Sequence, residues 1–159
     1  NLQDILTYGA FSYPITFLIT DLANRRFGKK KARKLVYIGF VIGILLTTLV
    51  STNFQDMISI RIALGSGSAF LVAQLIDIEI FQQLRNKLWF VAPITSSISG
   101  STIDTFLFFS ISFLGTGIPW VTLAFGDLFI KFLMAVLMLI PFRLLIYKIR
   151  DLNEKKLTS

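Results

Sequence analysis

Apolar residues are grouped into five long runs, and short polar or basic segments separate them. The runs cover residues 5–27, 35–51, 60–84, 91–114 and 120–147. Several of them reach the length of about 20 residues that a transmembrane helix needs. Hydrophobic residues make up 54% of the chain, and at 159 residues no separate soluble domain fits beside the runs. The pattern predicts an all-α fold, a polytopic transmembrane helix bundle that forms a single domain.

The net charge of +7 is concentrated at the ends of these runs. Seven basic residues lie in residues 25–34, two in residues 85–87 and five after Pro141, which is fourteen of the sixteen. With five spans, these three segments lie on the same side of the bilayer, as the positive-inside rule predicts for cytoplasmic segments. We therefore expect a cytoplasmic C-terminus with a basic tail, residues 148–159. The same distribution argues against nucleic acid as a partner, which would require a basic patch on one surface.

The chain contains neither cysteine nor histidine. This composition excludes a disulfide framework and a thiol nucleophile, and it removes the usual zinc ligand and the usual proton shuttle. No nucleophile–base constellation is recognisable. The sequence therefore predicts a protein that is not an enzyme and that holds no cofactor or metal.

One bilayer-length stretch, residues 93–113, carries Asp104 near its middle. An ionisable group inside a membrane span is costly, so it indicates a functional site that faces the protein interior or a wet cavity. Ser101 and Phe108 share a helix face with Asp104 by their spacing. Hydroxyl side chains surround the carboxylate: Ser96, Ser97, Ser99, Ser101, Thr102 and Thr105.

Charged residues in the other runs form two predicted layers. Asp104 lies about 15 Å from the outer end of its span, and Asp127 about 12 Å from the end of the next, at 1.5 Å per residue. We expect these two carboxylates and Lys131 to meet near the midplane, with Asp21 and Asp77 in a second layer nearer the cytoplasm. Asp127 and Lys131 are four residues apart, so a purely structural ion pair inside the bundle is the alternative.

The third run has two distinct faces. Gly65, Ala69 and Ala73 form a stripe of small residues that predicts close helix packing. Phe70, Gln74 and Asp77 fall on one side of the helix by their spacing. Gln74 and Asp77 are candidate ligand-binding residues, with a structural hydrogen-bonded pair as the alternative. Phe70 and Phe108 are candidates for stacking on a flat ligand, although most phenylalanines pack or face lipid.

Other residues have structural interpretations. Gly39 and Gly43 form a GxxxG pair that would let a helix approach closely, within the bundle or in a homodimer. Arg61 is expected to snorkel to the membrane interface. Glu79 follows Asp77 by two residues, so we expect it to point away from the candidate site toward a lateral contact.

Four segments resemble a known family in order and spacing: YGAFSYPITFLITDL, AFLVAQLIDIEIFQQLR, LWFVAPITSSISGSTIDTFLFFSISF and GDLFIKFL. They are similar to the queuosine precursor transporter family, also grouped as vitamin-uptake-like transporters. The most specific parts are Gln74-x-x-Asp77 and the segment Ser-x-Ser-Gly-x-x-x-Asp-Thr, which ends at Asp104 and Thr105.

The resemblance implies a multi-pass carrier of the bacterial inner membrane that imports 7-cyano- or 7-aminomethyl-7-deazaguanine. Such a base presents adjacent N–H donors that Asp77 or Asp104 would accept, and a carbonyl that the Gln74 amide would serve. The family has six spans, so a further helix is expected before Asn1. The resulting candidate substrate-binding set is Gln74, Asp77, Asp104, Ser101, Thr105, Asp127, Lys131, Asp21, Phe70 and Phe108.

Two other functions stay open on the sequence. One is a substrate-binding membrane subunit that needs a separate ATPase chain, because nothing here resembles a phosphate-binding loop. The other is a proton- or ion-conducting membrane protein in which the carboxylates form a relay.

Overall fold

A computed structural model of the chain describes the backbone of residues 2–50 and 57–157, and the side chains of residues 13–46 and 57–148. These residues form six helices and no strand, which confirms the all-α prediction. Met138 alone separates the last two helices, and its N–H bonds to the Met134 carbonyl, so the fifth run forms a nearly continuous rod. The helices are α1 (Leu2–Phe27), α2 (Lys29–Val50), α3 (Met57–Leu84), α4 (Val91–Phe113), α5 (Trp120–Leu137) and α6 (Leu139–Leu157).

The bundle has polar groups inside and apolar groups outside. Large apolar side chains such as Ile42, Phe125 and Phe129 are exposed, whereas Asp77 and Lys131 are buried. Soluble proteins rarely bury charged side chains, and they do not expose apolar patches of this extent. Met57–Leu84 and Trp120–Lys148 are long and apolar enough to cross a bilayer. The chain is therefore a helical membrane protein whose outer surface suits lipid.

The helices match the predicted runs with two differences. α2 begins at Lys29 rather than at residue 35, because the basic residues join the helix instead of forming a loop. The predicted basic tail is helical as far as Leu157. The short polar link that we expected at residues 52–59 lies largely outside the described residues, and residues 57–59 already belong to α3.

A single residue, Gly28, joins α1 to α2. Its φ of 82° lies in the left-handed region that L side chains rarely adopt, which is why a glycine is needed here. Its N–H bonds to the Asn24 carbonyl, and its own carbonyl accepts the N–H of Ala32. The tight turn brings the first turns of α2 back against α3.

The closest packing in the bundle is between α3 and α4. Gly65, Ala69 and Ala73 are all buried, which confirms the predicted small-residue face. A side chain at Gly65 would come within 2.6 Å of Ser112 Oγ on α4. Gly39 behaves differently, since open space surrounds it among the described residues. The close helix approach predicted for this face is therefore not made at Gly39 among the described residues.

Arg61 has a more specific role than the expected snorkelling. Its guanidinium donates to the carbonyls of Ile111 and Leu114, each at 2.9 Å, at the end of α4. The last four carbonyls of a helix lack intrahelical partners, and a cation is favoured at this end of the helix dipole. Arg61 thus caps α4 from the first turns of α3.

Basic residues of three helices meet at the opposite end of the bundle. Glu79 contacts both Lys29, at 2.6 Å, and Arg33, which confirms that it points away from the interior toward a lateral partner. Arg25 and Arg85 each donate to the other's backbone carbonyl. These contacts hold the ends of α1, α2 and α3 together at one side.

Candidate functional site

Five residues from three helices form a charged cluster in the bundle interior, here called the lysine layer: Tyr13, Asp104, Thr105, Asp127 and Lys131. Lys131 Nζ lies 2.9 Å from Asp104 Oδ2 and 2.5 Å from Asp127 Oδ2. It also donates to Thr105 Oγ1 at 3.1 Å, and that hydroxyl donates to Asp127 Oδ2 at 2.8 Å. The predicted meeting of the two carboxylates with the lysine is confirmed.

The charges of the lysine layer are nearly removed from solvent. The side chains of Lys131, Asp104 and Asp127 are only 5%, 7% and 11% exposed. A buried charge is tolerable only when it is paired and hydrogen-bonded, and one ammonium here serves two carboxylates. The cluster therefore keeps more acceptor capacity than its single cation uses.

Tyr13 covers the cluster from α1. Lys131 Nζ sits 4.7 Å from the centre of its ring, at cation–π distance. Its buried hydroxyl faces Asp104, yet it has no hydrogen-bond partner at bonding geometry among the described residues. Tyr13 thus brings an aromatic face and an unused hydroxyl to the site.

Asp21, Asp77 and Ser96 form a second cluster nearer the basic end of the bundle, here called the carboxyl layer. Asp21 and Asp77 face each other and are 2% and 0% exposed. Ser96 Oγ donates to Asp21 Oδ1 at a long 3.4 Å. Neither Asp77 oxygen accepts a hydrogen bond from the residues that the structure describes. The second predicted layer is present, and the part of the chain that the structure describes places no cation in it.

Gln74 and Phe17 lie between the two layers. Gln74 Nε2 donates to Thr16 Oγ1 at 3.1 Å, while its buried Oε1 has no partner among the described residues. The Phe17 ring rests on Gly100, where an added side chain would come within 2.6 Å of it. Gly100 therefore makes room for the aromatic ring that separates the layers.

A narrow crevice runs between α1, α4 and the α5–α6 rod. Asp21, Ser97, Ser101 and Lys131 line it, so it touches both layers. Its volume is about 10 Å³, enough for about one water molecule. This crevice admits nothing larger in this conformation.

Eight of the ten predicted site residues separate into three groups. Asp104, Thr105, Asp127 and Lys131 form the lysine layer, Asp21 and Asp77 the carboxyl layer, and Gln74 and Ser101 line the space between them. Phe70 packs edge-on against the Tyr13 ring at 6.1 Å. Phe108 lies away from both layers, in an apolar cluster with Phe109 and Phe113.

Four polar contributors were not in the predicted set: Tyr13, Thr16, Asn24 and Ser96. Three of them lie on α1, on the face that also carries Phe17 and Asp21. The i, i+4, i+8, i+11 spacing of residues 13, 17, 21 and 24 is the signal that would have identified this inward face. Asn24 is fully buried, and its amide donates to the Ile78 carbonyl at 3.0 Å.

The chemistry of the two layers suits reversible binding. Unpartnered buried acceptors, the Asp77 carboxyl and Gln74 Oε1, suit a ligand with N–H donors. The unused Tyr13 hydroxyl can donate to a ligand carbonyl. The described residues offer no activated nucleophile beside a base, so the arrangement favours recognition over covalent chemistry.

Comparisons with known proteins show the family of the chain. A family described as "Putative vitamin uptake transporter" matches residues 7–146. The "Probable queuosine precursor transporter" of Haemophilus influenzae is 35% identical over 85% of this chain and 66% of its own length. The "Queuosine precursor transporter" of Escherichia coli is 30% identical over 85% of this chain and 70% of its own length. A "Probable queuosine precursor transporter" of Bacillus subtilis is 27% identical over 84% and 68%.

The chain spans about two thirds of the length of these curated relatives. No solved structure matches it.

Proposed function

The chain belongs to the vitamin uptake transporter family, a family of transporters and not of enzymes, and on this premise we propose that it carries queuosine precursors across a membrane. The observation that carries the proposal is the similarity to three queuosine precursor transporters along 84–85% of the chain. We propose 7-cyano-7-deazaguanine, 7-aminomethyl-7-deazaguanine or both as the substrate.

The unpartnered polar groups between the layers support this substrate class. A 7-deazaguanine presents two adjacent N–H donors, which the Asp77 carboxylate would accept in parallel. Gln74 Oε1 has no protein partner and would accept a third N–H. The Tyr13 hydroxyl, which has no protein partner among the described residues, is a donor for the base carbonyl, beside the second N–H of the Gln74 amide, whose first N–H serves Thr16.

Access to this site requires the bundle to open. The crevice of about 10 Å³ is far smaller than the roughly 300 Å³ at the lower end of small-ligand pockets. The crevice lies between α1, α4 and the α5–α6 rod, so these elements would separate to admit the base. A carrier must open in this way alternately toward the two sides of the membrane.

We further propose that the membrane is the bacterial inner membrane and that the C-terminus is cytoplasmic. The support is the gathering of basic residues at one end of the bundle, where Lys29 and Arg33 contact Glu79 and Arg25 meets Arg85. Basic residues beside membrane spans are retained on the cytoplasmic side. The carboxyl layer then lies nearer the cytoplasm, and the lysine layer nearer the bilayer centre.

Complementation tests the function directly. A bacterium that lacks both precursor synthesis and its own carrier would express the chain and receive limiting precursor, and its tRNA would be assayed for queuosine. We expect queuosine well above the empty-vector control. No queuosine above that control, with the protein shown to be present in the membrane, would contradict the proposal.

Matched variants then test the site. Asp77→Asn and Asp104→Asn are each expected to abolish uptake without loss of protein. Glu79→Gln removes a carboxylate at the edge of the bundle and should leave uptake near the wild-type level. Wild-type uptake by both Asp variants would mean that these carboxyls are structural.

The same system separates the two other functions. Uptake that appears only when a separate ATPase module is present would identify a substrate-binding subunit. Ion flux through liposomes without any precursor would identify a conducting protein.

A further inference from the structure

The carboxyl layer places two buried acids together without a counter-charge. Asp21 is 2% and Asp77 0% exposed. Asn24, one turn after Asp21 on α1, donates to the carbonyl of Ile78, which follows Asp77 on α3, so the two acids lie side by side. Ser96 of α4 faces both of them. Ser96 offers a single hydroxyl, and neither Asp77 oxygen receives a hydrogen bond from a donor among the described residues. Among the described residues, the Ser96 hydroxyl faces this carboxyl, but no donor reaches it at bonding geometry.

Basic groups on the surrounding helices are engaged elsewhere. On the basic side, Arg25 of α1 donates to the Arg85 carbonyl, and Lys29 and Arg33 of α2 contact Glu79. Arg85 of α3 donates to Gln82 and to the Arg25 carbonyl.

Among the described residues, no cation of the remaining helices forms an ion pair with Asp21 or Asp77 either. Lys131 of α5 is held between Asp104 of α4 and Asp127. The Arg143 guanidinium of α6 lies 4.7 Å from the centre of the Trp89 ring. Two ionised carboxylates at this place would therefore repel each other with no cation to compensate them.

Two facing carboxyls in a low-dielectric site do not both ionise, because like charges disfavour the second ionisation and burial disfavours both. A proton on one of them makes a short, charge-assisted O–H···O⁻ bond to the other. Such a bond supplies the donor that Asp77 lacks. We infer that Asp21 and Asp77 hold one proton between them, and that this proton crosses the membrane together with the transported precursor.

The inference rests on the proposed function and gives it a driving force. With the proton on Asp21, Asp77 stays anionic, and its remaining lone pairs accept two N–H groups of the precursor. Without the proton the pair is a dianion, and with two protons Asp77 no longer accepts both N–H groups. Binding of one proton and binding of the precursor therefore strengthen each other, as linkage requires.

The proton has a route and an exit. Asp21 lines the crevice that also touches Lys131 and Ser101, so a water molecule in that crevice would contact Asp21. When the carboxyl layer opens toward the cytoplasm, Asp21 releases its proton to water, and the repulsion between the two carboxylates returns. The precursor leaves with the proton, and one proton and one precursor have moved in the same direction.

Reconstitution of the full chain in liposomes with a pH-sensitive dye inside tests this coupling. The probe is radiolabelled 7-cyano-7-deazaguanine, which is uncharged, so any proton that enters is carried by the protein. We expect influx to acidify the lumen by about one proton per precursor. Influx should also be several-fold faster at an external pH of about 6 than at about 8, because the pair is then protonated more often.

Two variants make the test specific. Asp21→Asn keeps a donor for Asp77 but has no proton to release, so the precursor influx that it retains should neither acidify the lumen nor depend on external pH. Glu79→Gln should keep both properties of the wild type. If Asp21→Asn does not accumulate in the membrane, the proton-to-precursor ratio of the wild type alone decides whether proton and precursor move together.

The possible outcomes distinguish a failure of the proton coupling from a failure of the proposed carrier function. Precursor influx without acidification would overturn the inference and leave the carrier function standing. Acidification without precursor would show an uncoupled proton leak and would overturn it as well. No influx of precursor at any pH would contradict the proposed function and, with it, the coupling.

Discussion

Lys131 Nζ lies 2.9 Å from Asp104 Oδ2, and this contact joins the middle of α4 to the middle of α5 inside the bundle. The same nitrogen lies 2.5 Å from Asp127 Oδ2, one helical turn earlier on its own helix. One cation therefore compensates two buried carboxylates on two helices. Loss of the positive charge at Lys131 therefore alters the charge balance of the whole lysine layer.

Lys131→Met should destabilise the protein strongly. The substitution keeps the length and apolar stem of the side chain but leaves Asp104 and Asp127 buried without a cation. Removal of one partner of a buried ion pair costs about 3–5 kcal/mol. Thermal unfolding in detergent would measure this loss of stability, with the fraction of protein that remains monodisperse as the readout.

A second change on the same background separates charge from packing. Lys131→Met combined with Asp104→Asn should recover much of the lost stability, because only Asp127 then lacks a cation. Lys30→Met at the exposed start of α2 serves as the control and should leave stability nearly unchanged. A double variant no more stable than Lys131→Met would show that the ammonium stabilises the bundle by other means.

The lysine layer could be predicted from the sequence because its geometry follows from helix length. A rise of 1.5 Å per residue places Asp104 and Asp127 at similar depths, and the i, i+4 spacing places Lys131 beside Asp127. Depth along a rigid helix depends only on residue number. The carboxyl layer, Asp21 with Asp77, could be predicted in the same way.

Rotation and packing of the helices could not be predicted so well. Tyr13 stacks on Lys131 and Arg61 caps α4, and both contacts depend on which faces of neighbouring helices meet. Phe108 shares the Asp104 face by spacing, yet its ring packs into an apolar cluster one turn farther along the helix. Helical periodicity assigns a side chain to a face, whereas tertiary contacts decide what it touches.

Gln74→Leu should separate binding from stability. Its Oε1 is buried without a partner among the described residues, so loss of the amide removes a desolvation cost. Thr16 loses one hydrogen bond but still donates to the Tyr13 carbonyl at 2.6 Å. We expect a stability change below about 1 kcal/mol and a loss of precursor affinity of roughly tenfold.

Binding of radiolabelled precursor to the purified protein, together with its thermal stability, measures both effects of the Gln74 substitution. Gln83→Leu is the matched control, because Gln83 is exposed on the same helix. Equal precursor affinity in the two variants would show that Gln74 does not contribute to precursor binding.

Arg61→Gln should loosen the end of α4 and little else. The guanidinium donates to the carbonyls of Ile111 and Leu114, and a charged hydrogen bond at a helix C-terminus contributes about 1 kcal/mol. Hydrogen exchange should become faster at the amides of Leu114 and Thr116, which close the last turns. Arg61→Lys should restore part of the protection, since one ammonium replaces a two-pronged donor. Unchanged exchange in Arg61→Gln would contradict the capping role.

Gly100→Ala should destabilise the contact between the two layers, whereas Gly126→Ala should not. A Cβ at residue 100 would lie 2.6 Å from Phe17 Cε1 and 3.3 Å from the Ala73 carbonyl oxygen, so the buried Phe17 ring must shift. Overpacking of this kind costs about 1–3 kcal/mol. At Gly126 nothing lies within 4 Å, and alanine in a helix is favoured over glycine by about 0.5–1 kcal/mol. The unfolding temperatures of the two variants, measured side by side, should therefore shift in opposite directions.

Because Phe17 lines the crevice beside Asp21 and Lys131, precursor uptake should fall in the Gly100 variant alone. Equal behaviour of the two alanine variants would mean that the ring moves aside without cost and that Gly100 is not needed for close packing.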